Sequence, residues 1–154
     1  MPLRSPTPRR QPAAGELGDY LVSVILVVMM TAAEIGAEVG RSTAAGEGRG
    51  STLRLVRQFL MDLERAENPA ELLRDAPELT GDQRWDALIA GVVEDFALHH
   101  GIEAPLWVFE PARFSTPWWF VTTIEAMRPT AIVESPAALA NHGVFISRAS
   151  LVNV

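Results

Sequence analysis

The chain is 154 residues long, 48% hydrophobic and 21% charged, with no cysteine and a formal charge of −6. That length suits one domain with enough apolar content for a core, which excludes a wholly disordered chain, and the lack of thiols excludes a disulfide scaffold and cysteine-ligated zinc or iron–sulfur sites. All 13 basic residues are Arg, so a P-loop, a Schiff-base mechanism and a lysine general base are excluded too.

Residues 1–18 hold Pro2, Pro6, Pro8 and Pro12, and three Arg against one Glu give them a net +2. Such a stretch buries no core and is expected to be a disordered tail. Tyr20 to Ala33 is an apolar run of 14 residues, short of the roughly 20 that span a bilayer. Three readings stay open for it. It is a buried helix or strand; or it is a signal-like apolar region with Thr31-Ala32-Ala33 as cleavage site, against which Glu16 and Asp19 stand where positive charge is wanted; or Met29 or Met30 is the natural start.

Thr31 caps a short helix in which Ile35 and Val39 share a face and Gly40 supplies a stop. Arg41 to Gly50, with glycine at 46, 48 and 50, reads as a loop or flexible linker, because glycine costs about 1 kcal/mol per helical position. Residues 19–50 thus form an apolar segment, a short helix and a Gly-rich linker, and 51–154 form the helical core domain. Ser51 opens the best-patterned helix, with Val56, Phe59, Leu60 and Leu63 on one face. Asn68-Pro69 starts another, which Pro77 ends. Thr80 with Gln83 offers a capping box for a third, striped by Trp85, Leu88, Ile89, Val92 and Phe96 and ended by Gly101. Beyond Pro105, prolines at 111, 117, 129 and 136 break the chain into short pieces, and six of the eleven aromatics fall between 107 and 120. Thr130–Glu134 and Val144–Ser147 have room for short strands, and Ser135-Pro136 caps a helix that Gly143 closes. The fold class is mainly α: a small helical domain with short strands in its C-terminal third.

The charge is uneven. Residues 62–103 hold eleven acids and three Arg, a net −8. That sign repels nucleic acid and attracts basic partners; it also serves as a solvated face that keeps a protein dissolved.

Four chemistries are testable against the residues. Thr31–Ser42 looks like the first half of a helix-turn-helix, with Arg41, Ser42, Thr43 and Arg49 as DNA-contacting candidates. The reading helix would have to be Thr43–Gly50, which its glycines weaken; a packing helix followed by a linker explains the same residues. Asp95 and His99 lie four apart on one helical face, near Glu94, and suggest a metal or acid/base site in a small enzyme. The paired-histidine zinc signature is missing, and a histidine at a helix C-terminus has a plain role against the terminal carbonyls. No Gly-x-Ser-x-Gly elbow or dinucleotide fingerprint is present, so no cofactor is expected. Finally, Trp118-Trp119-Phe120 cannot all point inward from one element. With Arg113 nearby they have the make-up of an interface hot spot, or they cover the neighbouring helices.

Ser51-Thr52-Leu53-Arg54-Leu55-Val56-Arg57-Gln58-Phe59-Leu60, Thr80–Leu88, Pro117–Phe120 and Glu134–Ala138 resemble a group of small actinobacterial proteins, some described as transcriptional regulators or as antitoxin-like partners of nucleotidyltransferase-type toxins. The resemblance spans residues 51–154 and brings no catalytic residues. It implies a cytoplasmic protein that masks a partner's active site, the partner being a toxin from the neighbouring gene. The expectation is therefore a non-enzymatic module that meets a basic protein through Asp82, Asp86, Arg113, Trp118, Trp119 and Phe120. A DNA-binding regulator and a small metal-dependent enzyme using His99 and Asp95 are the alternatives.

Overall fold

The computed structural model describes residues 29–152. The expected disordered tail, and the apolar segment up to residue 28, lie outside the described residues. The mainly helical fold expected from sequence is the one observed: seven α-helices and two short strands among the described residues. They are α1 (Ala32–Ala44), α2 (Arg49–Arg65), α3 (Pro69–Leu73), α4 (Gln83–His100), β1 (Trp119–Phe120), α5 (Arg128–Glu134), α6 (Ala137–Asn141), β2 (Val144–Phe145) and α7 (Arg148–Val152). No helix among them is long and apolar enough to cross a membrane.

α1 starts at Thr31 through a full capping box: the Glu34 amide donates to Thr31 Oγ1, and the Thr31 amide to the Glu34 carboxylate at 2.8 Å. It does not stop at Gly40. It runs on to Ala44, and only Ala45–Gly48 separates it from α2, which begins at Arg49 rather than Ser51. The expected long Gly-rich linker is therefore a four-residue turn. The physical reason is packing. A Cβ at Gly36 would collide with Pro77, and Gly40 faces the backbone of Thr80 at 3.6 Å. These glycines let α1 lie close to the 77–80 segment, and that contact outweighs their low helix propensity. Ser42, expected in a loop, is buried and bonds to Thr52 Oγ1 at 2.9 Å and Glu47 Oε2 at 2.7 Å, which fastens the turn. Ala32, Ile35 and Val39 belong to the same core as α2 and α4, so the core begins at α1, not at residue 51.

α4 is the axis of the molecule. It packs against α1, α6, β2 and the two 3₁₀ turns Leu106–Phe109 and Pro111–Arg113. Its middle, from Trp85 to Val93, is buried all round. Its N-cap is Asp82, not Thr80: the Asp82 carboxylate accepts from the Arg84 amide at 3.0 Å, while Thr80 Oγ1 ties the preceding turn to the Asp82 carbonyl. Gly91 meets α6 so closely that an added Cβ would sit 2.8 Å from Leu139 Cδ2.

The C-terminal third departs further from expectation. Thr130–Glu134 is helical, started by Pro129 in the first turn of α5, where its fixed φ and missing N–H do no harm. The strand at Val144–Phe145 forms as expected, and its partner is Trp119–Phe120: the two run parallel with Trp119 opposite Val144 and Phe120 opposite Phe145. Ser135 does not cap α6. Its hydroxyl donates to the Ala131 carbonyl and accepts from the Ile146 amide at 2.8 Å, so it joins α5 to β2. Gly143, at φ +78°, closes α6 as expected; its backbone sits against the Ser115 carbonyl where any Cβ would collide.

Candidate functional site

The three consecutive aromatics divide between core and surface. Trp119 is 6% exposed and meets Trp85 edge-on at 5.1 Å, while Trp118 is 66% exposed. Trp118 leans on Phe145 at 5.0 Å, Phe120 stacks on the same ring at 5.0 Å, and the Arg128 guanidinium lies 5.2 Å from Phe120. The extended backbone entering and forming β1 produces this split, since successive side chains leave such a segment on opposite faces: Trp118 and Phe120 meet Phe145, and Trp119 meets Trp85. Only Trp118, and the half-buried Phe120 beside it, remain available from the aromatic candidates.

Arg113 and Asp86 are not available. Arg113 is 3% exposed, donates to the Pro77 carbonyl, lies over the Trp107 ring and stands 4.0 Å from Asp86, itself buried. Asp86 in turn accepts from the Thr80 amide at 2.8 Å. A docking role for these two is corrected to an internal one: they pin the segments at 77–80 and 113 to α4. Asp82 is half-buried and forked onto Arg84, Nη2 to Oδ2 at 2.8 Å. The Arg84 guanidinium holds its carboxyl below the usual carboxylate range, and the carboxylate raises Arg84. Arg84 and Arg49 also flank the Trp119 ring, at 5.6 and 5.7 Å.

The DNA-contacting candidates separate. Arg41 pairs with Glu38 on the exposed side of α1, Ser42 is buried, and Thr43 Oγ1 bonds back to the Val39 and Gly40 carbonyls of its own helix. Arg49 donates to the Val121 carbonyl at 2.6 Å. Thr43–Gly50 forms the end of one helix, a turn and the start of another, so the reading helix required there is replaced by a turn.

The His99 and Asp95 pair takes the plain role. His99 Nδ1 lies 2.8 Å from the Asp95 carbonyl, and the Asp95 carboxylate takes Arg148 Nη2 at 3.3 Å. Among the described residues no group of three or more His, Asp or Glu converges as metal ligands would. His100 stacks on Phe96, with Nδ1 2.9 Å from the Phe96 carbonyl and Nε2 3.1 Å from Glu64. The Phe96 carbonyl first, and Glu64 second, push its pKa up.

Two features escaped sequence reasoning. Glu94 faces His142, fully buried and 48 residues away, at 2.8 Å. The other ring nitrogen, Nδ1, lies 2.6 Å from the Arg113 carbonyl, an acceptor only, so Nδ1 carries a proton and donates it. Nothing local in the sequence announces this pair. The other is a surface edge. The turn Leu106–Phe109 buries Trp107, whose Nε1 donates to the Leu73 carbonyl of α3 at 2.9 Å, and leaves Leu106 85% and Phe109 48% exposed. Exposed Glu103 and Glu110 flank these two side chains. Beside them, Glu71, Arg74, Glu103 and Asn68 surround a hollow of about 300 Å³ between α3 and the 103–105 segment. The three-residue period of a 3₁₀ turn, which puts 106 and 109 on one edge, was the signal that would have found it.

Of the eleven acids between 62 and 103, six are exposed: Glu64, Glu67, Glu71, Asp75, Glu78 and Glu103. The others are at least half-buried, and Asp62 illustrates their use: it accepts from the Met30 amide at 3.0 Å and from Gln58 at 2.9 Å, which fixes the entry to α1. No family model, no curated protein and no solved structure matches this chain.

Proposed function

We propose that this chain is a non-enzymatic, antitoxin-like interaction module that docks a basic protein partner, the toxin encoded by the neighbouring gene. One observation carries the reading: Leu106 and Phe109 stand out of the surface on a turn bracketed in sequence by exposed Glu103 and Glu110, and Glu103 and Pro105, which lead into it, line a hollow shared with Glu71 of α3 and Arg74 next to it. Exposed apolar anchors beside an excess of acidic groups are what a basic partner recognises, the charge speeding encounter and the anchors holding the complex. Trp118, backed by Phe145, supplies a further anchor on the C-terminal third.

The test is coexpression of the tagged chain with the product of the adjacent gene. The expected result is copurification that weakens as salt rises, together with relief of any growth arrest the partner causes. Leu106→Ser with Phe109→Ser lowers the retained partner at least tenfold, the loss of about 1.4 kcal/mol or more that one hot-spot contact brings. A neighbouring product that is neither bound nor neutralised overturns the reading, and so does binding indifferent to both salt and the double substitution.

A further inference from the structure

A cleft of about 420 Å³ lies between α2, the segment from Val121 to Glu134, and the stretch from β2 into α7. It shares no residue with the acidic edge described above, and its chemistry is opposite. Arg49, Leu53 and Arg57, four apart, put one stripe of α2 along its wall. Arg49 donates to the Val121 carbonyl, and Arg57 grips the Ser150 carbonyl through Nε at 2.9 Å and Nη2 at 2.7 Å. Both guanidiniums are bound to carbonyl oxygens, which orient them without neutralising their charge. Arg41, Arg74, Arg84, Arg113, Arg128 and Arg148, by contrast, each face a carboxylate. Glu134 is the lone acid in the lining, and it is exposed. In a chain of net charge −6, this is a concave site whose lining carries two carbonyl-anchored guanidiniums against one carboxylate, a net positive charge.

The rest of the lining is aliphatic or hydroxyl-bearing. Leu53, Met127 and Ile146 provide apolar wall, while Thr122, Thr130 and Ser147 provide hydroxyls. At Gly50, in the first turn of α2, an added Cβ would meet nothing within 4 Å, so the cleft stays open over the helix backbone there. The volume lies within the usual range of small-molecule pockets, which join an apolar body to a few oriented polar groups. Phe145 is the sole aromatic in the lining and is already flanked by Trp118 and Phe120. The wall therefore suits an aliphatic body better than a stacked nucleobase.

We propose that this cleft binds a small amphipathic anion, its oxyanion head held by Arg57, with Arg49 two turns away on α2 adding positive charge, and its aliphatic body lying on Leu53, Met127 and Ile146. The head is a phosphate ester or a carboxylate, and two probes separate these sources. Hexyl phosphate and hexanoate are titrated into the full chain while backbone amide shifts are recorded, with hexanol and inorganic phosphate as half-ligands. The expected result is saturable shifts at Gly50, Thr122 and Ser147 with one of the two amphiphiles, and about tenfold weaker binding of each half-ligand. Arg57→Gln weakens binding by a similar factor. Because Arg57 also staples α7, Gly50→Leu is the second variant: it fills the cleft, removes neither staple, and abolishes binding while thermal unfolding stays the same or moves up, since leucine is the better helix former. Absence of saturable shifts at millimolar probe overturns the proposal. Equal binding of hexanol and hexyl phosphate, full binding by the Gly50→Leu chain, or shifts confined to Trp118 and its neighbours also overturn it; in those cases the two arginines are staples alone.

Discussion

The helical part from α1 to α4 and the proline-broken third after Pro105 are built on different terms. In the first, apolar side chains recur at helical spacing, caps stop and start each element, and the core follows from pattern. In the second, elements of two to seven residues are too short to hold themselves. They are tied down by single side chains reaching from the helices or back to them: Trp107 to Leu73, Arg113 to Pro77, Gln83 to Phe114, Glu94 to His142, Arg49 to Val121 and Arg57 to Ser150. A surface made by tethering short pieces leaves apolar side chains outside, as at Leu106, Phe109 and Trp118, whereas a patterned helix turns most of them in. The region that resists sequence reading is thus the one that leaves large apolar side chains exposed.

Substitutions sharpen or break this contrast. The largest effect is expected at Trp119, where alanine empties the junction between β1 and α4 and costs about 3–5 kcal/mol in urea unfolding. Trp118→Ala, next door, costs about 1 kcal/mol or less, because the ring rests on Phe145 and faces water. Equal losses at the two positions would erase the division between core and surface.

His142→Ala follows. It leaves the Glu94 carboxylate half-buried without its partner and releases the Arg113 carbonyl, a loss of about 3 kcal/mol. Hydrogen exchange should speed up over 113–121 and 142–146 while α1 and α2 keep their protection. Uniform acceleration would show that the tethered third and the helices unfold as one unit.

Asp82→Ala removes a helix cap and the fork onto Arg84, for a loss of about 1 kcal/mol, spread over α4 and read by the same denaturant series. Asp82→Asn keeps a capping oxygen and should recover most of it. If both variants lose equally, the ion pair and not the cap matters there.

The smallest effect is the pH response of His100. Its native pKa is raised above the ordinary value, chiefly by the Phe96 carbonyl, so its stabilisation is complete below about pH 6.5 and disappears as pH climbs through the raised value. The unfolding free energy of the protein minus that of His100→Gln should therefore be larger at roughly pH 5.5 than at roughly pH 8.5. A difference that grows with pH would assign the histidine an opposite role.

Much of α2 and α4, the Thr31 cap of α1, the closing glycines at 101 and 143 and the strand at 144–145 were legible because their signals act over a few residues. Several local signals were overridden by distant neighbours. Gly40 reads as a stop, yet Thr80 and Pro77 beside α1 make small residues an asset inside that helix. Ser135 reads as a cap, yet Ile146 claims its hydroxyl. Acids counted as one charged face were partly spent inside, at Asp62, Asp86 and Glu94. Of the proposed contact residues, the strand alternation that exposes Trp118 and buries Trp119 was foreseeable in kind, but not which ring would be which.

By itself, then, the sequence determined helix identity, the mainly α class, the absence of thiol and lysine chemistry and the sign of the charge, since each depends on composition or on neighbours within about one turn. Only the tertiary structure decided where that charge is exposed, which aromatics face out, and that Arg49 and Arg57 close one cleft. The last of these rests on pairs separated by 72 and 93 residues, and a contact at such a distance is chosen by how packed helices bring backbone carbonyls within reach of a side chain, which no local pattern encodes.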